Sequence, residues 1–228
     1  MITAFDRIII EVENIQSAVS QYSALLGPLE IYADCARLVL ANICIELHEK
    51  PSKTGAQISG LALLDDELRE EQQTSIAVDT RGLQLSCSGF RNGLNSVSST
   101  PTPTGITAVD HLVIQTNDAD DCIRLFGENG LGLRLALDQQ VPEWGGRMVF
   151  FRMGKMTLEL IQNLKEPPPQ DFFWGITYLC TNIDATVSLL DEAGVEHSSI
   201  REGRKPGTRV ATIKSHCLGL PTLLISPE

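Results

Sequence analysis

The sequence predicts an α+β fold in which a βαβββ module, a strand followed by a helix and one to three further strands, recurs four times. The first strands of the four modules start at Arg7, Gly60, His111 and Gly175, about 50 to 65 residues apart. A period of this length is typical of internal duplication. Four modules are therefore expected in the chain of 228 residues.

The first two modules differ in completeness. In the first, Asn14 is placed to cap a helix with a continuous apolar face, and Gly27 with the following proline ends it. In the second, a strand over 61–64 and an acidic helix from Asp65 are followed by little more than residues 82–88. Strands are therefore predicted to be missing from the second module.

The third and fourth modules carry the full pattern. In the third, a strand at 110–114 precedes a helix capped by Asn117 or Asp118, and Gly154 with Lys155 predicts a hairpin between two later strands. The fourth repeats this order, with a strand at 176–180, a helix between Asp184 and Ala193, and strands at 210–213 and 222–225.

Composition and charge restrict the class of protein. The chain is 43% apolar and 5% aromatic, and it carries a net charge of -11. No apolar run reaches the ~18 residues of a membrane-spanning helix, and the N-terminus lacks the basic region of a signal peptide. A cytoplasmic protein is expected. Nucleic acids and anionic membranes are excluded as partners because both require a basic surface.

The cysteine pattern predicts reduced thiols in the core. None of the cysteines forms a CxxC pair, and most lie within apolar strand or helix patterns, where a free thiol packs as a small hydrophobe. The residues are Cys35, Cys44, Cys87, Cys122, Cys180 and Cys217.

A stretch rich in Ser, Thr and Pro, residues 91–105, has no periodicity and is predicted to be a linker. It separates a degenerate domain, residues 1–90, from an intact domain, residues 106–228.

Three segments resemble the glyoxalase/bleomycin-resistance/extradiol-dioxygenase superfamily, also called vicinal oxygen chelate proteins. They are the strand Asp110-His111-Leu112-Val113-Ile114, the strand Thr157-Leu158-Glu159-Leu160-Ile161, and the stretch from Gly175-Ile176-Thr177-Tyr178 to Ala193-Gly194-Val195. The resemblance implies that paired modules form a cup holding a divalent metal or a ligand. Because such cups host lyases, epimerases, dioxygenases and antibiotic-sequestering proteins, the resemblance defines the fold better than the reaction.

The resemblance also implies one metal ligand in the first and one in the last strand of each module. His111 and Glu159 occupy both positions in the third module, and they suit Zn, Ni, Mn or Fe. Gly175 and Leu224 occupy them in the fourth and cannot bind a metal through their side chains. A simple hydrogen bond between His111 and Glu159 remains the alternative.

The N-terminal modules offer little to complete such a site. Arg7 and Glu46 occupy the two positions in the first module, where an ion pair is favoured because a guanidinium has no lone pair to donate. In the second module, Gly60 occupies the first position and either Gln84 or Ser86 the last. If the second and third modules share a cup, Gln84 is a candidate third ligand. Two firm ligands fall short of the three that a catalytic metal commonly has.

Two further groups are candidates for substrate binding. Arg204, Lys205 and Arg209 lie in a glycine-containing loop, which predicts either an anion-binding site or a solvated hairpin. Trp144 and Arg147 could form a lid over the cup, approached by Trp174, although ordinary packing is the alternative for each aromatic side chain. A small, anionic ligand is expected.

The predicted function is a glyoxalase-like small-molecule enzyme, a lyase or isomerase acting beside a carbonyl group. Glu159 would be the general base, and His111 a metal ligand or acid. The alternative is a metal-free binding protein of the bleomycin-resistance type. An extradiol dioxygenase is disfavoured because its two-histidine, one-carboxylate set is incomplete. A monomer and a homodimer are equally compatible with the sequence.

Overall fold

The computed structural model describes residues 1–50, 55–69, 72–89 and 102–228. In these residues the chain forms fifteen strands, three α-helices and two mixed sheets. The predicted α+β fold of repeated modules is confirmed. None of the helices in the described residues is long and apolar enough to cross a membrane.

The first module has the predicted order. Its elements are β1 (Ile2–Val12), α1 (Ile15–Leu26), β2 (Glu30–Ile31), β3 (Ala36–Val39) and β4 (Cys44–Glu49). Both predicted ends of α1 are confirmed: the Asn14 side chain accepts a hydrogen bond from the Ser17 amide at 2.8 Å, and the chain leaves the helix at Gly27 with φ of 101°. Glycine tolerates this φ because it has no Cβ.

The second module differs from the prediction. It contains β5 (Gln57–Asp65), β6 (Gln73–Ser75) and β7 (Leu85–Ser88). The acidic helix expected from Asp65 is wrong for the described residues, because 66–68 form a turn in which Asp65 accepts hydrogen bonds from the Met1 amino group and the Glu67 amide. The chain then returns as β6, antiparallel to β7. Strand pairing overrides the helical propensity of the acidic segment.

The last two modules are complete. The third consists of β8 (Ile106–Thr116), α2 (Ala119–Phe126), β9 (Arg134–Val141), β10 (Gly146–Met153) and β11 (Met156–Asn163). The fourth consists of β12 (Phe172–Cys180), α3 (Ile183–Glu192), β13 (Arg201–Glu202), β14 (Thr208–Ile213) and β15 (Thr222–Pro227). Asp118 caps α2, as one of the two predicted choices, and Asn182 caps α3.

The strands form one seven-stranded and one eight-stranded sheet. Their orders are β2-β3-β4-β1-β5-β7-β6 and β13-β14-β15-β12-β8-β11-β10-β9. In the third module β11 runs parallel to β8 and antiparallel to β10. This arrangement brings the first and last strands of the module together.

The chain divides into two compact units. The first consists of Met1–Arg7, Ser59–Arg91 and His111–Gly175. The second consists of Ile8–Ile58, Asn92–Asp110 and Ile176–Glu228. Most of the predicted linker, residues 91–101, lies outside the described residues. The division into domains at residues 1–90 and 106–228 therefore stays a prediction.

In the first unit, α2 covers one face of the strands of the third module. The Phe126 ring of α2 lies 6.0 Å from the ring of Phe151 on β10, and both side chains are buried. Because side chains alternate along a strand, Phe150 and Arg152 lie on the opposite face. We call this face of β8 to β11 the open face.

All six cysteines lie in described residues, are buried and form no disulfide bond. Burial raises the pKa of the Cys122 thiol to about 12, and the neighbouring Asp171 carboxylate adds to the effect. The prediction of reduced core thiols is confirmed.

Candidate functional site

His111 and Glu159 meet on the open face. Glu159 of β11 lies opposite Val113 of β8, two residues after His111, so both side chains point to the same side of the sheet. His111 Nε2 is 3.1 Å from Glu159 Oε2. Their side chains are 15% and 8% exposed. The structure therefore brings together the two residues predicted to be catalytic.

Burial makes this carboxylate unusual. Glu159 lies between Leu158 and Leu160, which are fully buried on the other face of β11. On the open face, the residue directly opposite Glu159 on the neighbouring strand β10 is Phe150. Burying a carboxylate in such surroundings is costly unless it is paired or hydrogen-bonded. The contact with His111 supplies part of that pairing.

The donor set does not fit a catalytic metal ion. Within the residues that the structure describes, no group of three or more His, Cys, Asp and Glu side chains is arranged to hold a metal. His111 and Glu159 supply two donors, whereas catalytic zinc sites commonly have three protein ligands. In the fourth module, Leu223 lies opposite Thr177 as Glu159 lies opposite Val113. The counterpart of Glu159 is therefore Leu223, not Leu224 as predicted, and it cannot bind a metal either.

The second module does not place Gln84 as predicted. Ser86 lies opposite Ala62, so the register that matches Glu159 falls on Ser86, and the preceding Gln84 is exposed outside β7. Ser86 accepts a hydrogen bond from Gln73 Nε2 at 3.1 Å. The prediction of Gln84 as a third ligand is therefore not carried further.

In the first unit, the buried Arg7 donates to Asp6 Oδ2 at 2.9 Å and to the Ser88 hydroxyl at 3.3 Å. Its guanidinium thus lies among polar groups of β1 and β7.

In the second unit, Glu46 is buried between two basic side chains. Arg37 Nε donates to its Oε2 at 2.6 Å, and His48 Nε2 lies 2.7 Å from its Oε1. The Arg37 guanidinium also lies over the Tyr32 ring, 4.9 Å from its centroid. These contacts satisfy both oxygens of the carboxylate.

Arg147 lies on the face that α2 covers. Val149, two residues away on β10, is fully buried there, and Arg147 Nη1 donates to Asp120 of α2 at 2.8 Å. Nε and Nη2 donate to the two oxygens of Asp138, each at 2.7 Å. These hydrogen bonds hold the pKa of Asp138 below its usual value. Arg147 and Glu159 thus lie on opposite faces of the sheet.

Trp144 packs within its own loop. A Cβ atom on Gly146 would lie 1.5 Å from the Trp144 ring, so only glycine fits beneath it. The indole Nε1 is buried and has no hydrogen-bond partner among the described residues. Trp174, on β12, is 40% exposed. The roles of both tryptophans as ligand contacts stay predictions.

The basic loop belongs to the second unit. Arg204 and Lys205 are exposed, whereas Arg209 donates to Asp184 of α3, with Nη2 2.9 Å from Oδ1. This pairing lowers the pKa of Asp184. Arg204, Lys205 and Arg209 therefore belong to a different unit from His111 and Glu159, and their role in anion binding stays a prediction.

Sequence reasoning missed a polar cluster in the first unit. Arg81 donates from Nε to Asp171 Oδ2 at 2.6 Å and from Nη1 to Asp121 Oδ2 at 2.7 Å. Asp171 also accepts a hydrogen bond from Thr116 at 2.8 Å. No local motif marks these residues, because Arg81 and Asp171 are 90 positions apart.

The comparisons with known proteins give one family match and several structural likenesses. A family model described as Glyoxalase/Bleomycin resistance protein/Dioxygenase superfamily matches residues 110–212. None of the curated proteins matches the chain. A variant of 4-hydroxymandelate synthase from Streptomyces coelicolor has a TM-score of 0.71 and 13% identity over 100% of this chain and 93% of its own. BphC, a halotolerant catechol dioxygenase, has a TM-score of 0.68 and 12% identity over 99% and 87%.

A shorter likeness covers about half of the chain. Methylmalonyl-CoA epimerase from Mycobacterium tuberculosis has a TM-score of 0.46 and 19% identity over 54% of this chain and 90% of its own. At identities this low, the two full-length likenesses show the fold alone, and they confirm the predicted fold class.

Proposed function

We propose that the protein is a glyoxalase-like enzyme that moves a proton at a carbon beside a carbonyl group. The match of residues 110–212 to the glyoxalase/bleomycin-resistance/dioxygenase family model supports this proposal. The reaction would be that of an isomerase or a lyase on a small, anionic molecule in the cytoplasm. The observation that carries the proposal is the buried pair of Glu159 and His111, 3.1 Å apart on the open face.

Glu159 is the general base in this proposal. It takes the proton from the carbon, and the electron pair of the broken C–H bond moves toward the carbonyl oxygen to form an enolate. Phe150 beside it limits the access of water, and a carboxylate with less water around it is a better base. His111 lies within reach of the same carboxylate and acts as the acid that returns a proton. A proton returned to another position gives an isomer, and loss of a neighbouring leaving group gives the product of a lyase.

The expected divalent metal has no part in this mechanism, because the described residues around Glu159 and His111 do not form a complete ligand set. Loading with zinc, nickel, manganese or iron followed by dialysis tests this point. We expect less than about a tenth of an equivalent of metal to remain, equally in the wild type and in His111→Ala. A stoichiometric metal that His111→Ala removes would contradict the proposed mechanism.

The incomplete ligand set also favours a second candidate, a metal-free binding protein of the bleomycin-resistance type. Both candidates bind a ligand on the open face, but the binding protein has no need of a base. Chemistry at Glu159 therefore separates them.

Solvent exchange is the direct test. A panel of small carbonyl acids is incubated with the protein in D2O, and replacement of the proton beside the carbonyl is followed by proton NMR. We expect exchange with the wild type and a loss of at least about 10²-fold in Glu159→Gln. Glu143→Gln removes an exposed carboxylate from the loop before β10 and should leave the rate unchanged. Binding of a panel member without exchange would support the binding protein instead.

A further inference from the structure

Two arginines share the open face with the catalytic pair. Thr157 of β11 lies opposite His111 of β8 on one side and Arg152 of β10 on the other. Arg152 in turn lies opposite Arg134 of β9. The four residues form one row across four strands, and directly opposed residues of neighbouring strands point to the same face. The row lies next to the one that holds Glu159 and Phe150.

The two arginines lack an internal countercharge. Both are exposed, and neither has a hydrogen bond or an ion pair with any residue that the structure describes. Other arginines of the same unit, Arg81 and Arg147, are each held by two carboxylates. Like charges directly opposite each other on neighbouring strands are destabilising, since their Cβ atoms are about 4.5–5.5 Å apart. Within the described residues, nothing offsets this repulsion.

We propose that Arg134 and Arg152 form a subsite for an anionic group of the ligand, a carboxylate or a phosphate. The inference rests on the proposed function and adds to it the part of the substrate that does not react. A guanidinium pairs with either anion through two parallel hydrogen bonds, and an anion between two guanidiniums removes their mutual repulsion. The subsite would also attract an anion to a chain whose net charge of -11 otherwise repels it.

The row also limits the shape of the ligand. Two strand spacings, about 10 Å, separate the backbones of His111 and Arg152. Phe150 lies on the same face as Arg152, two residues along β10, and is directly opposite Glu159. A ligand that reaches from Glu159 to Arg152 therefore passes between Phe150 and Thr157. We infer a substrate whose anionic group lies several bonds from the carbon that loses its proton.

Inorganic phosphate and malonate are the probes that test the subsite. Each is titrated into the full-length protein by NMR, with sodium chloride adjusted to keep the ionic strength constant. We expect saturable binding to the wild type, weakened at least about tenfold in Arg134→Gln and in Arg152→Gln. Lys155→Gln is the matched control, because it removes an exposed cation from the adjacent hairpin turn and should leave the affinity unchanged.

Each outcome has a defined meaning. Loss of binding in the two arginine variants supports the subsite: binding of phosphate alone assigns it to phosphate esters, binding of malonate alone assigns it to carboxylates, and binding of both assigns it to either anion. Equal affinity in the wild type and both arginine variants overturns it, as does an equal loss in Lys155→Gln. Phosphate binding by Glu159→Gln tests the subsite independently of the base. If the proposed chemistry at Glu159 is wrong, binding of phosphate that depends on Arg134 and Arg152 is still expected.

Discussion

Arg81 holds the carboxylate of Asp171 with two hydrogen bonds, from Nε to Oδ2 at 2.6 Å and from Nη2 to Oδ1 at 3.2 Å. The Asp171 side chain has no exposed surface. Arg81 comes from the loop before β7, and Asp171 comes from the segment before β12. The pair therefore fastens the loop before β7 in the second module to the segment between β11 and β12, within the first unit.

Removal of this arginine should destabilise the protein strongly. Arg81→Met leaves Asp171 buried without its countercharge, and breaking a buried ion pair in this way costs about 3–5 kcal/mol. Urea unfolding measures the loss. Arg124→Met serves as the control, because Arg124 is 70% exposed and pairs with Asp121 at the surface, where such pairs contribute about 0–1 kcal/mol. A loss below about 1 kcal/mol in Arg81→Met would contradict the fastening role.

The contact between His111 and Glu159 could be predicted from the sequence because it depends on local pattern. His111 and Glu159 lie in the first and last strands of one module, and these strands are neighbours once the module folds. The contact between Arg81 and Asp171 could not be predicted, since no periodicity relates residues 90 positions apart in different modules.

The sequence pattern predicts Arg147 over the cup, whereas the structure places it on the face that α2 covers. The reason for this error is the register of the strand. The sequence marks a hairpin at Gly154 and Lys155, and counting back from this turn pairs Phe150 with Glu159. Arg147 lies three positions before Phe150, and an odd step along a strand places its side chain on the other face. The face on which Arg147 lies could therefore have been predicted from the sequence, by counting the strand register from the hairpin turn. Arg152 lies two positions after Phe150 and therefore shares its face. Its pairing with Arg134 cannot be counted from the sequence, because a bulge in β9 shifts the register between β9 and β10.

Because Arg147 pairs with Asp138, we expect the free energy of unfolding to depend on pH in the acid range. Hydrogen bonds from Arg147 lower the pKa of Asp138 below its usual value of 3.8. The charged carboxylate is thus favoured in the folded state, so its stabilisation is present above pH 3.8 and is lost as the pH falls through the lowered pKa. The free energy of unfolding should be lower in Asp138→Asn than in the wild type at pH 7 by up to about 1 kcal/mol.

Acid should remove this difference. Unfolding in urea between pH 7 and pH 2 compares the wild type with Asp138→Asn, and Glu143→Gln controls for the loss of a charge. A gap between wild type and Asp138→Asn that stays constant, or widens, in acid would show that Arg147 does not stabilise the charged form of Asp138.

The thiols should be unreactive in the folded protein. Reaction with a disulfide reagent requires a thiolate, and burial raises the pKa of Cys122 to about 12, so this thiol stays protonated at pH 8. All six cysteines are buried. We expect slow reaction of the native protein and release of six equivalents after denaturation. One rapidly reacting cysteine in the native protein would show that the part of the chain around it opens readily.

The catalytic pair should reduce stability in exchange for function. Glu159 and His111 lie on a sheet face beside Phe150, where a pair of apolar side chains of similar size would pack without any cost of burying charge. His111→Leu alone removes one partner of a buried carboxylate and should destabilise the protein by about 1–3 kcal/mol. The double variant His111→Leu, Glu159→Leu should be as stable as the wild type or more stable, since replacing both partners of a buried polar contact by apolar groups can be nearly neutral or stabilising. Urea unfolding of the wild type, both single variants and the double variant measures the coupling between the two positions. A purely structural pair gives the opposite result, in which the double variant is the least stable of the four proteins.

Proton exchange measured on the same four proteins then links stability to activity. A double variant that is stable but inactive identifies His111 and Glu159 as a site kept for its chemistry.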